Sequence, residues 1–417
     1  MARVFPTLPW TLAISLSLAG CSENQPPDDG SGPDWNSDVG PIIASKCASC
    51  HSEGGVGGFA LETYSQVSAV ADAVADAVVN ERMPPWGADG SCNEYLYDIS
   101  LTEAEKQTIS DWASSGSPRG SGPVASAMPL EAGPSNHRVD VSISSTEAYT
   151  PTGLPDDYRC FPMDWPVEHP TYVTGYEVVP GQLSLVHHVI AYIVPGHYRS
   201  DIDDKVQEDG QPGYSCFGGP GVVEQRDAEW LGGWAPGGAA RSFPEGTGIA
   251  MDPGDIIVLQ VHYHTEGREV LADQTRIDLT VEDWVESEAW IQPFANPFWL
   301  YDDQMDIPPG SEGHEESFSF SFDEGTTVFS ANVHMHLLGK QAQLSIQHED
   351  GSESCLLDVP EYDFEWQRTY RFKEQRVLKA SDRIKLSCFF DNPTDDAVNW
   401  GDGTNDEMCL ATMYMTE

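Results

Sequence analysis

Short apolar runs, each closed by proline or glycine, recur from residue 172 to residue 390. They are Tyr172 to Val179, Val186 to Val194, Ile256 to His264, Arg276 to Val281, Phe318 to Phe322, Thr327 to Val333, Ala342 to Gln347 and Arg383 to Phe390. Runs of this length, rich in β-branched and aromatic residues, read as strands. The spacing that parallel βαβ units require is absent, so the pattern predicts antiparallel sandwiches. The 38 Gly and 30 Pro supply the turns. About 280 residues is too much for one ordinary sandwich, so two all-β domains are expected, over 138–285 and 286–417.

The 417 residues include 21 Lys and Arg against 67 Asp and Glu, a formal charge of −46. This solvated acidic surface argues against nucleic acid and anionic membrane surfaces as partners. Residues 1–20 carry Arg3 and an apolar segment from Leu8 to Leu18, too short to span a bilayer, and read as a secretory signal. Leu18-Ala19-Gly20-Cys21 resembles a bacterial lipobox. That resemblance implies a lipid on Cys21 and, with Ser22 following, an outer-membrane anchor in the periplasm or at the cell surface. An ordinary signal peptide before an unmodified cysteine is the alternative. Residues 21–34 have the composition of a flexible tether.

Cys47-Ala48-Ser49-Cys50-His51 has the attachment pattern of c-type haem, in which two thioethers hold the porphyrin and the adjacent His supplies an axial ligand. A thioredoxin-like dithiol competes, but the immediate His and an exported chain disfavour it. Met83, before a proline pair, is the candidate second axial ligand; the alternative is a loop Met packed against the ring edge. Val67, Val70, Val74 and Val78 lie at helical spacing within Tyr64 to Asn80, and Thr102 with Glu105 forms a capping box for a helix to about Ser114. Over 35–118 the chain resembles a small all-α cytochrome c domain, and 119–137 reads as a linker.

Histidines cluster in the strand-like part. His334 and His336, at i and i+2, project from one face of a strand and reach one metal ion together, although such a pair alone is as often a satisfied core or surface pair. His187 and His188 are adjacent and would face opposite ways without a bulge; as a lone dipeptide they are more often structural. Either His262 or His264 could coordinate while the other faces out. Met408 lies in Asn405-Asp406-Glu407-Met408-Cys409. Imidazole suits copper, zinc, iron and nickel, and a thioether added to two imidazoles favours copper, Cu(I) especially.

Four segments, in order, resemble those of the copper type II ascorbate-dependent monooxygenases, the family of dopamine β-monooxygenase and peptidylglycine α-hydroxylating monooxygenase. They are His187-His188-Val189, Leu259-Gln260-Val261-His262-Tyr263, Val333-His334-Met335-His336-Leu337-Leu338-Gly339-Lys340 and Asp406-Glu407-Met408-Cys409. The resemblance spans roughly 138–417 and implies two jelly-roll-like sandwiches across a solvent-filled cleft. It implies an electron-storing copper on His187, His188 and His262, and an oxygen-activating copper on His334, His336 and Met408. One atom of O2 would hydroxylate a small organic substrate and the other would leave as water. It also implies a Cys388–Cys409 disulfide; Cys92, Cys160, Cys216 and Cys355 remain open for further pairs.

Peptide-amidating members carry an Arg two residues before the first His of the second site, and Asn and Tyr after the Met-Cys pair. Here Asn332, Leu410 and Thr412 stand there, which argues against peptidylglycine. A covalent haem ahead of such a module is expected to pass electrons to the His187, His188 and His262 copper from an ascorbate-like or a respiratory, quinone-linked donor. A haem-copper electron-transfer or sensor lipoprotein without oxygenase turnover is the competing reading. Copper storage is weaker, since storage does not need two dissimilar sites.

Overall fold

The structure, a computed structural model, describes residues 32–53, 57–125, 138–153, 155–222, 228–235, 241–265, 267–302, 305–323, 325–364, 366–401, 403 and 405–417. The signal segment and Cys21 lie outside them. The described chain is mostly β. Each anticipated run is a strand, among them Thr171–Val179, Val186–Val194, Ile256–His264, Thr327–His334 and Arg383–Asn392.

Strands at Asp156–Asp164, Ser287–Phe294, Glu353–Val359, Tyr370–Val377 and Leu410–Thr416 did not stand out in the pattern. Asp156–Asp164 shows why: it carries acids at both ends and a proline inside. Its nine residues pair with Ile256–His264, an almost wholly buried strand, and tertiary pairing overrides propensity.

Two hydrophobic cores result. One gathers Val173, Val189, Leu259 and Ile277, and the other Val328, Met335, Leu344 and Leu386. Ser287–Phe294 belongs to both halves. On one side it pairs antiparallel with Leu410–Thr416; on the other it meets Glu229–Trp234 and, in parallel, Thr247–Met251. That parallel contact, only two residues long, departs from the antiparallel expectation where the chain crosses from one core to the other. One sheet therefore runs through both halves.

Ahead of them, the helices Gly40–Lys46, Tyr64–Ser68, Ala71–Val79 and Glu103–Ser114 pack around Ile43, Val67, Val78, Ile109 and Trp112. The single helix expected from Tyr64 to Asn80 is broken, because Val70 sits outside the helical basin at φ −128° and ψ 22°. The Thr102–Glu105 capping box is present.

This helical part is stitched to the second core. Ala88 and Tyr95 are buried in that core. Tyr95 bridges Phe372, Leu96 N–H donates to the Arg371 carbonyl at 2.8 Å, and Lys373 N–H donates to the Glu94 carbonyl at 2.9 Å. A Cys92–Cys355 disulfide spans a sequence separation of 263. Closing so long a loop constrains the unfolded chain strongly. Replacing both cysteines by Ser should cost about 2–4 kcal/mol of stability; denaturant unfolding with an unchanged midpoint would refute this.

Candidate metal centres

The Val186–Val194 and Ile256–His264 strands pair with His188 opposite His262, and the register slips between Val186 and His188. The slip lets two sequence neighbours turn toward one point, which a regular strand forbids. Nδ1 of His188 lies 3.3 Å from Nδ1 of His187 and 3.4 Å from Nδ1 of His262. The candidate donor atoms of the three residues all fall within 4.8 Å of one another. Nitrogens bound to one ion at about 2.0–2.1 Å stand about 3.3–3.6 Å apart in tetrahedral or trigonal arrangements, so the spacing suits a single metal.

The cluster is oriented from behind. His262 Nε2 donates to Asp156 Oδ1 at 2.9 Å, which leaves the Nδ1 lone pair facing the other imidazoles. Tyr158 stacks on the same ring, 4.1 Å away and 4° from parallel. His264 Nδ1 bonds the same Asp156 oxygen at 3.0 Å, so His262 joins the cluster while His264 buttresses its partner. Burial, then the neighbouring His262 and His264, lowers the His187 pKa to about 4, and burial pushes His188 well below its ordinary value. Both are neutral donors at pH 7.

The second set lies at the end of the Thr327–His334 strand, where His334 pairs with Leu410. Continuing that register for two residues sets 336 opposite 408. Met335 points the other way, fully buried in the second core. Its side chain lies beneath Gly339, where a Cβ would come within 2.6 Å of Met335 Cβ.

The His334 and His336 rings stand 5.1 Å apart at 83°. His334 Nδ1 donates to Gln367 Oε1 at 2.6 Å and His336 Nδ1 to the Asp406 carbonyl at 2.9 Å. Each therefore offers Nε2, the reverse of the first cluster. Burial lowers the His334 pKa to about 3 and also lowers that of His336.

Glu407 holds the Met408 segment. Fully buried, its carboxylate accepts the N–H groups of His336 at 2.8 Å, Leu338 at 2.6 Å and Met408 at 3.2 Å. Desolvation raises its pKa to about 7 against the opposing pull of those bonds. The next residue, Cys409, is bonded to Cys388. Tyr362 Oη accepts from Met335 N–H and donates to its carbonyl, bracing the turn between the two histidines.

Phe364 stands between the two sets. Its ring is 5.5 Å from that of His187 and 5.9 Å from that of His336. The gap that the resemblance fills with solvent is thus spanned by an aromatic ring. Asp156, Gln367, Tyr362 and Phe364 carried no signal in the sequence; Glu407 did, as an acid beside the candidate Met.

In the helical part, His51 is buried, with Nδ1 bonded to the Phe59 carbonyl at 3.2 Å. Gly57 presses on its ring, where a Cβ would lie 2.4 Å from Nδ1. Cys47 and Cys50 are free, and burial pushes the Cys47 thiol up to about 12, opposite to a reactive dithiol. Met83 is half-buried after the Ala71–Val79 helix, its N–H bonded to the Ala77 carbonyl at 3.2 Å.

Residues 298–416 match the family model for the copper type II ascorbate-dependent monooxygenase C-terminal domain. The chain is 27% identical over 288 residues to DBH-like monooxygenase protein 1 of Gallus gallus, covering 61% of this chain and 43% of that protein. It is 24% identical over 290 residues to DBH-like monooxygenase protein 2 of Mus musculus, covering 63% of this chain and 44% of that protein. The chain thus spans less than half the length of these curated relatives. The family match and both relatives support the copper type II monooxygenase family. Among solved structures, the major capsid protein P2 of bacteriophage PM2 aligns over 66% of this chain and 97% of its own at 8% identity, with a TM-score of only 0.29.

Asp156→Ala should weaken metal binding by the first cluster by about 10–100-fold while sparing the second, as loss of a ligand's orienting partner does; copper titration reads both. Acid should also act on the metal-free fold. The folded pKa of His187 lies near 4 and that of His334 near 3, against 6.5 for the free group. The unfolded chain therefore binds more protons between those values. Stability present above pH 6.5 should fall as pH drops through that window, and bound copper should blunt the loss; thermal unfolding against pH checks both.

Proposed function

We propose that this chain is a copper-dependent monooxygenase that hydroxylates a C–H bond of a small organic substrate with O2, drawing electrons through a covalently bound c-type haem. The observation that carries the reading is the pair of unlike donor sets meeting on Phe364. One presents three imidazoles through Nδ1; the other presents two through Nε2 beside the Met408 segment. Bound copper would supply one-electron storage at His187, His188 and His262, and oxygen activation at His334, His336 and Met408.

The chain's own residues prepare those sites. Asp156, Gln367 and the Asp406 carbonyl hold protons on the remote ring nitrogens, so the inward nitrogens stay free. Burial keeps His187, His188, His334 and His336 neutral, and Phe364 fills space between the sets. A thioether at Met408 favours the reduced metal, whereas three imidazoles tolerate both oxidation states. The Asn332 amide is engaged with the Arg368 carbonyl at 2.6 Å. That engagement, and an Asn rather than an Arg at 332, favours a substrate other than peptidylglycine.

The helical part fits a haem. Cys47 and Cys50 are unpaired, His51 has Nδ1 occupied and Nε2 to offer, and buried Trp86 Nε1 has no acceptor among the described residues, a donor that a haem carboxylate would satisfy. Met83 is the proposed second axial ligand. We further propose an exported bacterial lipoprotein anchored through Cys21, served by an ascorbate-like or a respiratory, quinone-linked donor.

Met408→Ala should abolish hydroxylation in an oxygen-uptake assay with product analysis while leaving the haem spectrum intact. Retained hydroxylation in that variant would sink the assignment. A fully loaded wild type inert toward O2 would favour the electron-transfer or sensor reading.

A further inference from the structure

We propose a second catalytic site, independent of both histidine sets, in which Ser354, His348 and Asp382 act as nucleophile, base and orienting carboxylate in the cleavage of small neutral carboxylic esters.

The three side chains come from two turns of the second half. The strand Gly339–Gln347 turns at 348–352 into Glu353–Val359, and the chain passes from Tyr370–Val377 to Arg383–Asn392 through 378–382. His348 N–H donates to the Ser352 carbonyl at 2.8 Å and Gly351 N–H to the His348 carbonyl at 3.0 Å, which fixes the first turn. Asp382 N–H donates to the Lys379 carbonyl at 2.9 Å and Lys379 N–H to Asp382 Oδ2 at 3.0 Å, which fixes the second.

His348 bridges the two. Its Nδ1 stands 2.8 Å from Asp382 Oδ1 and its Nε2 2.9 Å from Ser354 Oγ. A carboxylate can only accept, so Nδ1 carries the proton and Nε2 offers its lone pair to the serine hydroxyl. The Asp382 side chain is 3% exposed, that of His348 is 29% exposed, and Ser354 is exposed. A buried acid, a half-open imidazole and an accessible hydroxyl stand in the order that an activated serine requires.

His348 and Asp382 line an open depression of about 590 Å³ together with Glu349, Asp350, Lys379 and Ser381. That is room for a small molecule. Acids outnumber the one lysine on these walls, which disfavours anionic substrates, and Lys379 brings a cation for the oxygen that becomes negative when an ester carbonyl is attacked. The place is remote from the candidate metal ligands. Gly339–Gln347 begins three residues after His336 and ends one before His348, and its nine residues span about 30 Å.

In the first step Ser354 Oγ bonds to the ester carbonyl carbon while its proton passes to His348 Nε2. The carbon–oxygen bond to the alcohol then breaks, and the leaving oxygen takes that proton. Water, giving a proton to the same nitrogen, attacks the acyl-serine and releases the carboxylic acid, and the proton returns to Ser354. Ester and water become acid and alcohol, with no change of oxidation state. Asp382 is a positioning residue, acting through His348.

The test uses the full chain. Hydrolysis of p-nitrophenyl acetate is followed by release of p-nitrophenol, and a fluorophosphonate probe is located by peptide mapping, in the wild type, Ser354→Ala, His348→Gln and Asp382→Asn; circular dichroism verifies the fold. The expected result is saturable hydrolysis and a single label on Ser354, both lost in Ser354→Ala. His348→Gln should slow labelling by about 100-fold or more, the range of a lost general base. Asp382→Asn should lower kcat while KM holds.

An inert, unlabelled wild type would overturn the site, as would hydrolysis that persists in Ser354→Ala. Labelling of His348→Gln at the wild-type rate would also overturn it, since Ser354 would then be an exposed hydroxyl without a base. The Ser354 and His348 variants decide the matter even if Asp382→Asn fails to fold.

Discussion

A buried imidazole that bonds one ring nitrogen to a protein acceptor turns the other outward as a donor, and His262, His334 and His336 are oriented in this way. Asp156 occupies Nε2 of His262, so Nδ1 faces inward. Gln367 and the Asp406 carbonyl occupy Nδ1 of His334 and His336, so Nε2 faces inward. Desolvation keeps His187, His188, His334 and His336 neutral, and the partners of His262, His334 and His336 decide which nitrogen carries the proton. Two chemically different donor sets thus arise from the same side chain.

Those partners are delivered by strand register. Asp156 reaches His262 because Asp156–Asp164 lies beside Ile256–His264, with Tyr158 opposite His262. Glu407 and Met408 reach His336 because Leu410–Thr416 pairs with Thr327–His334. A slip of one residue in either ladder would turn the ligands to the wrong face. The Cys388–Cys409 disulfide and the three N–H groups on Glu407 guard the second ladder where it ends. The bulge at His187 is the one place where a broken register is required.

The loop from Phe364 to Tyr370 unifies the molecule. Within a few residues it meets His187 and His336 through Phe364, His334 through Gln367, Asn332 through the Arg368 carbonyl, and Trp86 through Tyr370. Tyr370 is buried in the second core, and the Cys92–Cys355 disulfide joins the helical part to that half.

Much of this was legible in the chain. Short β-branched and aromatic runs between turn residues exposed the main strands, and His-x-His put two imidazoles side by side, because each of these signals is local. That the two β halves share the strand Ser287–Phe294 was not legible, nor was the choice of His262 over His264, nor the roles of Asp156, Gln367, Tyr362 and Phe364. Those partners lie from tens of residues to more than a hundred away in sequence and are ordinary in composition. Antiparallel pairing brings Asp156 to the site, and the segment leading into Tyr370–Val377 brings Tyr362, Phe364 and Gln367. The amino-acid sequence by itself determined the donors; the tertiary structure decided which nitrogen His262, His334 and His336 present, since that depends on a neighbour supplied by a segment distant in sequence.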